Sequence, residues 1–425
     1  MACVKKSHSR DPHRWVVFGV ISSVYFLVFF HRVSTSVIAP DLLATFNTNA
    51  TALGFMSSMY FYLYALEQPL VGHLSDVLGP RKVVGFWSLA ATLGCVLFGL
   101  APTIEWATIG RGLIGFGAGG VYVPAMKSFA HWFRKKEFAT MTGFFLASGN
   151  LGAIVATTPL AWVSNVWGWR SSFLIIGGIT LMLALATLVF VRGHDTVIEP
   201  LSKETPIPNS QSMTSWGSVL RVLSSLRFWV LAALFFGFFG TYFTFQGLWA
   251  TPFIMSILNL DALRASGLNM LIPVGFILGA PLSGLLSDRV FHSKVDVLLC
   301  LLILITGVWA ILSFGSHTIA TGSMIILLLA MGGIAGGLAT NLWAFIRETT
   351  SSNILGLTSG LLNPFPLLGP AILQAWTGAI VNQVGKVDGL YPLVAYKNAF
   401  IVCLFFIASC LILCAAFRKV LPKKD

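Results

Sequence analysis

Four charged side chains lie inside long apolar runs of this sequence: Arg32, Glu67, Arg111 and Lys127. Arg32 sits in the stretch YFLVFFHRVSTSVIAP, residues 25–40. A guanidinium is planar, permanently protonated and two-pronged, a shape that matches a carboxylate or a phosphate. A carboxyl such as Glu67 holds or releases a proton and pairs with a cation. The chemistry on offer is therefore anion recognition and proton movement. Groups for bond-making are absent from the pattern: there is no GxxxxGK followed by Ser or Thr, no metal-ligand spacing and no plausible Ser-His-Asp arrangement. The six cysteines include no CxxC pair, and five of them fall in apolar runs where a thiol serves as a small hydrophobe. These features predict no enzyme, no cofactor, no metal and no disulfide.

The elements that position these charges follow from composition. Of 425 residues, 56% are hydrophobic and 10% are charged, against about 25% charged in soluble domains. Apolar stretches of 18 or more residues recur along the chain, each long enough to cross a hydrocarbon core of roughly 30 Å as a helix. They predict twelve spans, near 15–38, 53–73, 83–101, 108–130, 139–162, 171–192, 228–251, 267–287, 296–315, 319–344, 357–381 and 395–417. The expected fold class is an all-α integral membrane protein. The first run is too long for a signal-peptide core and lacks a cleavage pattern, so it is expected to remain. The net charge of +12 is distributed by side. With the N-terminus placed inside, the tails and cytoplasmic gaps hold residues such as Lys5, Arg14, Arg81, Lys82, Lys127, Arg134, Arg221, Arg289, Arg347 and Lys423. The opposite side holds only Arg170, Arg264, Lys386 and Lys397. This asymmetry predicts both termini in the cytoplasm and explains the basic balance without nucleic acid.

The sequence is also written twice. The polar stretch RGHDTVIEPLSKETPIPNSQSMTSWGS reads as a linker between six spans and six. The expected organisation is a bundle over 1–192, a cytoplasmic linker over 193–227 and a second bundle over 228–425. GHLSD at 72–76 matches GLLSD at 284–288, and Pro40 falls on Pro252, both at an offset of 212. GFGAGG at 115–120 matches GGIAGG at 332–337, and Gly143 matches Gly360, at an offset of 217. Two pseudo-symmetric six-helix halves suit carriers whose substrate binds where the halves meet.

GHLSDVLGPRKVV at 72–84 resembles the signature loop of the major facilitator superfamily, and GRGLIGFGAGG in the fourth span resembles its second motif. GLLSDRVFHSK at 284–294 fits the degenerate second copy. The resemblance covers the whole chain in order and implies the major facilitator fold, alternating access and secondary transport. It implies gating roles for Gly72, Asp76, Gly79, Arg81 and Asp288, with Asp76 meeting a helix N-terminus or Arg81 in a cytoplasmic latch. For Arg111 it implies a role in coupling or in helix packing.

Residues that break the repeat are the ones to search for substrate chemistry. Arg32 aligns with Thr244, Glu67 with Gly279, Arg111 with Leu328 and Lys127 with Ala344. Arg111 and Lys127 lie near interfaces and can snorkel. Arg32 and Glu67 lie about 12–14 Å from the nearest ends of their helices, where ionisable groups face a partner or a watery cavity. Two readings stand: an Arg32–Glu67 ion pair that ties helices, or an Arg32 that receives an anionic substrate. A narrower resemblance, to the glycerol-3-phosphate and hexose-phosphate permeases of the organophosphate and organic-anion branch, favours the second, because a substrate-binding arginine stands there eight residues before a proline, as Arg32 stands before Pro40. Those carriers place a second arginine where this chain has Thr244 and a histidine where it has Gly149, so one cation implies a monocarboxylate, sugar acid or similar anion. An anion that takes over Arg32 would release Glu67 to take up a proton, which predicts proton-coupled symport.

Tyr25 shares the face of Arg32, two turns away. Together with Gln246, Tyr122, Asn150 and Asn341 it is a candidate for the substrate lining; Ser148, Asn269 and Asn363 are further polar groups at membrane depth. Each can instead bond between helices. His31 points about 100° from Arg32 and is expected to pack. The expected protein is a monomeric multi-pass carrier of the plasma membrane, in a bacterium the inner membrane, with a small anionic substrate, H+ as coupling ion and lipid around it. Alternatives are an amino-acid uptake carrier, a multidrug or metabolite exporter, and more remotely a membrane sensor.

Overall fold

The computed structural model describes residues 12–191, 216–289, 293–315, 319–351, 354–387 and 391–418. Residues 193–215 of the expected linker over 193–227, Lys5 and Lys423 lie outside the described residues, as does the side chain of Asp288; the rest of that linker is described and includes a short helix over Trp216–Leu223. The regular elements are helices, with no strand among the described residues. In the first half these are α1 (His13–Thr45), α2 (Ala50–Val77), α3 (Gly79–Leu100), α4 (Ile104–Gly119), α5 (Tyr122–Trp132), α6 (Lys135–Val155) and α7 (Thr158–Phe190). A short α8 (Trp216–Leu223) precedes α9 (Leu226–Thr244), a π-helical turn over Phe245–Trp249, α10 (Ala250–Leu258), α11 (Ala262–Asn269), α12 (Leu271–Arg289), α13 (Lys294–Phe314), α14 (Thr321–Thr349), α15 (Leu355–Leu362), α16 (Phe365–Val384) and α17 (Leu393–Ala416).

Ten helical stretches among the described residues are long and apolar enough to cross a membrane. The other two expected spans fall on α2, diluted by its tyrosines, serines, Glu67 and Gln68, and on α4 with α5, interrupted at Gly120 and Val121. Several expected spans are broken rods. Pro364 and Pro366 part α15 from α16, and Gly168, at φ +80°, bends α7, a conformation open to a residue without Cβ. The π turn holds α9 and α10 in one rod that contains Gln246.

The repeat legible in the sequence is a packing repeat. Gly115 of α4 abuts the Tyr60 backbone of α2, and Gly332 of α14 abuts the Ile272 backbone of α12. These are the same pair of positions under the offsets 217 and 212. Lipid supplies no hydrophobic drive between helices, so close backbone approach through small residues is what holds such seams. The halves meet each other along the seam, and a group of their contacts gathers at one end. Gly54 of α2 packs on Gln374 and Gly378 of α16. Ser36 donates to Thr251 Oγ1 (3.2 Å), Asn269 donates to Ser36 Oγ (3.5 Å), the Ala50 amide donates to Tyr391 Oη (2.8 Å) and Lys386 donates to the Thr48 carbonyl (2.7 Å). All these residues lie toward the end that charge places outside.

Candidate substrate site

Arg32 reaches the seam between the halves from the middle of α1. Its guanidinium carbon lies 4.4 Å from the ring centre of Phe29 and 5.5 Å from that of Tyr64, both in the first half, and 4.9 Å from that of Phe243 in the second. Cation–π attraction of this kind contributes about 0.5–2 kcal/mol per ring. The side chain retains 7% of its surface. No carboxylate among the described residues pairs with it, and its Nε is buried without a hydrogen-bond partner. Tyr25, Tyr60, Tyr64 and Tyr242 lie within electrostatic reach. The arrangement is one uncompensated cation in a basket of aromatic faces and phenol hydroxyls. It can hold an anionic head by charge and fork, and hydroxyl groups by the tyrosines.

Three expected lining residues gather here. Tyr25 stacks on Phe145 at 4.0 Å and lies 6.0 Å from the Tyr122 ring. Gly149 makes the room, since a Cβ there would press on the Tyr25 and Phe29 rings; the histidine implied by the resemblance has no space in this arrangement. Gln246 is buried and hydrogen-bonds Tyr242, and Gly247 beside it abuts the Arg32 carbonyl. Asn341 and Asn150 have other partners. Asn341 donates to Ser283 Oγ (2.7 Å) and to the Gly337 carbonyl (2.9 Å), bridging α14 and α12, and Asn150 donates to the Leu146 carbonyl of its own helix.

Glu67 faces away from the basket. It accepts from the Trp87 indole at 2.5 Å, so the Arg32–Glu67 pair left open by the sequence is not formed. Arg111, fully buried, donates to the His31 carbonyl and lies 4.9 Å from the Tyr60 ring centre, tying α4 to α1 and α2. His31 packs with Cys95 and Phe173. At the signature loop, Gly79 adopts φ +79° between α2 and α3. Asp76 pairs with Lys127 Nζ (2.5 Å), which also donates to the Gly72 carbonyl (3.1 Å). The observed partner is thus on α5 rather than Arg81, because the break before Tyr122 starts a new helix that carries Lys127 over the end of α2.

Phe29, Tyr60, Tyr64, Tyr242 and Phe243 join the basket without being among the lining residues expected from the sequence. A signal was available: Tyr60, Tyr64 and Gln68 recur every four residues, a polar stripe along an otherwise apolar helix. The family model of the Major Facilitator Superfamily matches residues 21–372. The chain belongs to that superfamily. Among its relatives, a probable sulfoacetate transporter of Cupriavidus necator is 25% identical over 292 residues, 66% of this chain and 66% of its own length. A hexuronate transporter of Escherichia coli (strain K12) is 22% identical over 389 residues, 88% of each. The structure of a bacterial homolog of the human lysosomal transporter Spinster, inward-facing and unoccupied, superimposes with a TM-score of 0.75 at 18% identity, covering 96% of this chain and 98% of that one. The helical membrane class and the superfamily expected from the motifs both hold, and this superfamily member is a multi-pass membrane transporter.

Proposed function

We propose that this transporter carries a small organic anion with one carboxylate or sulfonate and neighbouring hydroxyl groups, by alternating access coupled to protons. The observation that carries the reading is Arg32, a guanidinium with no carboxylate partner among the described residues, held between the halves by rings from both. A permanent charge at membrane depth costs at least about 2.5–3.5 kcal/mol on insertion scales. A carboxylate arriving from solution supplies the counter-charge that no described side chain provides. A single cation fits one anionic group, and the other buried arginine of this half, Arg111, is engaged with the His31 carbonyl. The relatives named for hexuronate and sulfoacetate carry anions of this kind, which supports the class.

The closed end of the seam, tied by Ser36, Thr251, Asn269 and Tyr391, supports alternation between two openings. In this reading Arg32 binds, Tyr25, Tyr122 and Gln246 line the site, Glu67 carries the proton, and Gly72, Asp76, Gly79, Arg81, Arg111 and Asp288 serve the movement of the halves. The membrane is the plasma membrane, in a bacterium the inner membrane, with both termini cytoplasmic. The protein performs no reaction and works as a monomer.

The test is a thermal-shift panel on the purified protein with glucuronate, sulfoacetate, acetate, an amino acid and glycerol 3-phosphate, repeated with Arg32→Ala. Stabilisation by a monoanion that vanishes in the variant is the expected result. Stabilisation that persists without Arg32 removes the assignment.

A further inference from the structure

Glu67 is buried in the first half along with Arg32 and Arg111, and the basket around Arg32 makes no use of it. It is 4% exposed. One oxygen accepts from Trp87 of α3; the other is buried without a hydrogen-bond partner and lies against Gly119 of α4, where an added Cβ would overlap it. The titratable groups within electrostatic reach are Tyr60 and Tyr64 of α2 itself; α3 presents the indole and α4 presents backbone. The pseudo-symmetry shows how unusual the wedge is. The aligned position in the second half is Gly279, whose backbone packs directly on Gly333 of α14. One half thus closes this seam with bare backbone, and the other closes it on a carboxyl.

The next residue connects the wedge to the other half. Gln68 Nε2 donates to the carbonyls of Gly119 and Tyr64, each at 3.3 Å, and Gln68 Oε1 accepts from Asn363 Nδ2, just past α15, at 2.9 Å. Gly119 is thereby touched by both Glu67 and Gln68, and it is the last residue of α4 before the break at Gly120.

We propose that Glu67 is a proton-loading site in the α2–α3–α4 seam, and that its charge state works the Gln68–Asn363 bond between the halves. A neutral carboxyl asks less of a dry seam than a carboxylate does. A carboxylate is an acceptor with several lone-pair sites, and the Trp87 indole with the Gly119 backbone beside it leaves others empty. The ionised group gains further donors by parting α2 from α4 and admitting water. That movement pulls Gln68 off Gly119 and away from Asn363. The protonated form holds the halves together at this bond, and loss of the proton to water releases them. This route differs from the one expected through Arg32. It rests on the carrier reading for its purpose and not on which anion is carried.

The test uses no anion. Full-length protein with Cys3→Ser and Cys300→Ser carries spin labels at Val77→Cys and Leu286→Cys, exposed positions near matched ends of α2 and α12, and is reconstituted in liposomes. The label separation is expected to lengthen from acid to alkaline pH, to stay short at every pH in Glu67→Gln, and to lose its pH response in Asn363→Ala. Glu67→Asp keeps the acid and is expected to keep the response. An unchanged response in Glu67→Gln overturns the proton site, and an unchanged response in Asn363→Ala overturns the bond. Loss of the response in Glu67→Asp assigns Glu67 to packing alone and overturns the proposal. Failure of the anion panel would leave this result standing, and the converse also holds.

Discussion

Replacing Arg32 by Lys keeps a positive charge at the seam and removes the planar fork. A carboxylate that met two parallel N–H donors would then meet a point charge. Hydrogen bonds to charged groups are worth about 1.5–3 kcal/mol, so loss of one lowers anion affinity by roughly 10–150-fold. Arg32→Ala removes the charge as well and should abolish binding. Stability of the empty protein is the informative control. The unpaired charge costs at least about 2.5–3.5 kcal/mol at depth, while three rings at 4.4, 5.5 and 4.9 Å return about 0.5–2 kcal/mol each. The terms nearly cancel, so Arg32→Ala should leave the empty protein's melting temperature close to wild type. An anion at about 100 times its wild-type Kd stabilises by about 2.7 kcal/mol, and for a variant that binds about 100-fold more weakly the gain drops to about 0.4 kcal/mol. Calorimetric titration and thermal melts in detergent read both quantities. A Lys variant that binds within about twofold of wild type would refute the fork, and an Ala variant that melts far lower when empty would make Arg32 a structural residue.

Gly115→Ala and Gly332→Ala should each cost about 1–3 kcal/mol by overpacking the equivalent seams α2–α4 and α12–α14; thermal melts in which only one is destabilised would end the claim of a shared packing repeat. Lys127→Met removes the partner of Asp76, an exposed pair worth about 0.2–1 kcal/mol. Melting should hardly change while exchange of anion across proteoliposomes changes in rate, and an unaltered rate would exclude the pair from the movement of the halves. Ser36→Ala removes the centre of a buried network, with bonds to Thr251 and Asn269, at about 1 kcal/mol for each bond lost. Leu43→Cys in that background should react faster with an impermeant thiol reagent added outside cells, and an unchanged rate would show that this network does not hold the seam closed.

What the sequence could reveal was fixed by what a single helix determines. Tyr25 and Arg32 share a face because seven residues are two turns of one helix, and the structure keeps them together around Phe29 and Phe145. The repeat was legible because aligning two halves needs no coordinates, and it placed Gly115 and Gly332 correctly as equivalents. The relation of Arg32 to Glu67 was not legible, because it depends on how α2 is rotated about its axis relative to α1. One residue of register turns a helix face by about 100°, enough to move a carboxyl from α1 to α3, and hydropathy is blind to that rotation when both faces are buried. The same blindness hid the partner of Asp76, which depended on a two-residue break at Gly120 and Val121 inside what composition read as one span.

The breaking of symmetry carries a physical consequence for the division of labour. The second half offers rings and an amide near Arg32, Tyr242, Phe243 and Gln246, but no charge at the aligned positions: Thr244 aligns with Arg32 and Gly279 with Glu67. The proposed counter-charge for the anion and the proposed proton carboxyl therefore belong to the same half, on α1 and α2, which meet through the Tyr60 hydroxyl that donates to the Val28 carbonyl at 2.9 Å. In the proposed reading, binding at Arg32 and charging at Glu67 influence each other through Tyr60 and Tyr64, which lie within electrostatic reach of both, and through the way that half engages its partner, at Phe243 in the one case and at Asn363 in the other. In that reading a carrier built this way couples anion and proton without direct contact between Arg32 and Glu67, since Glu67 is engaged with Trp87.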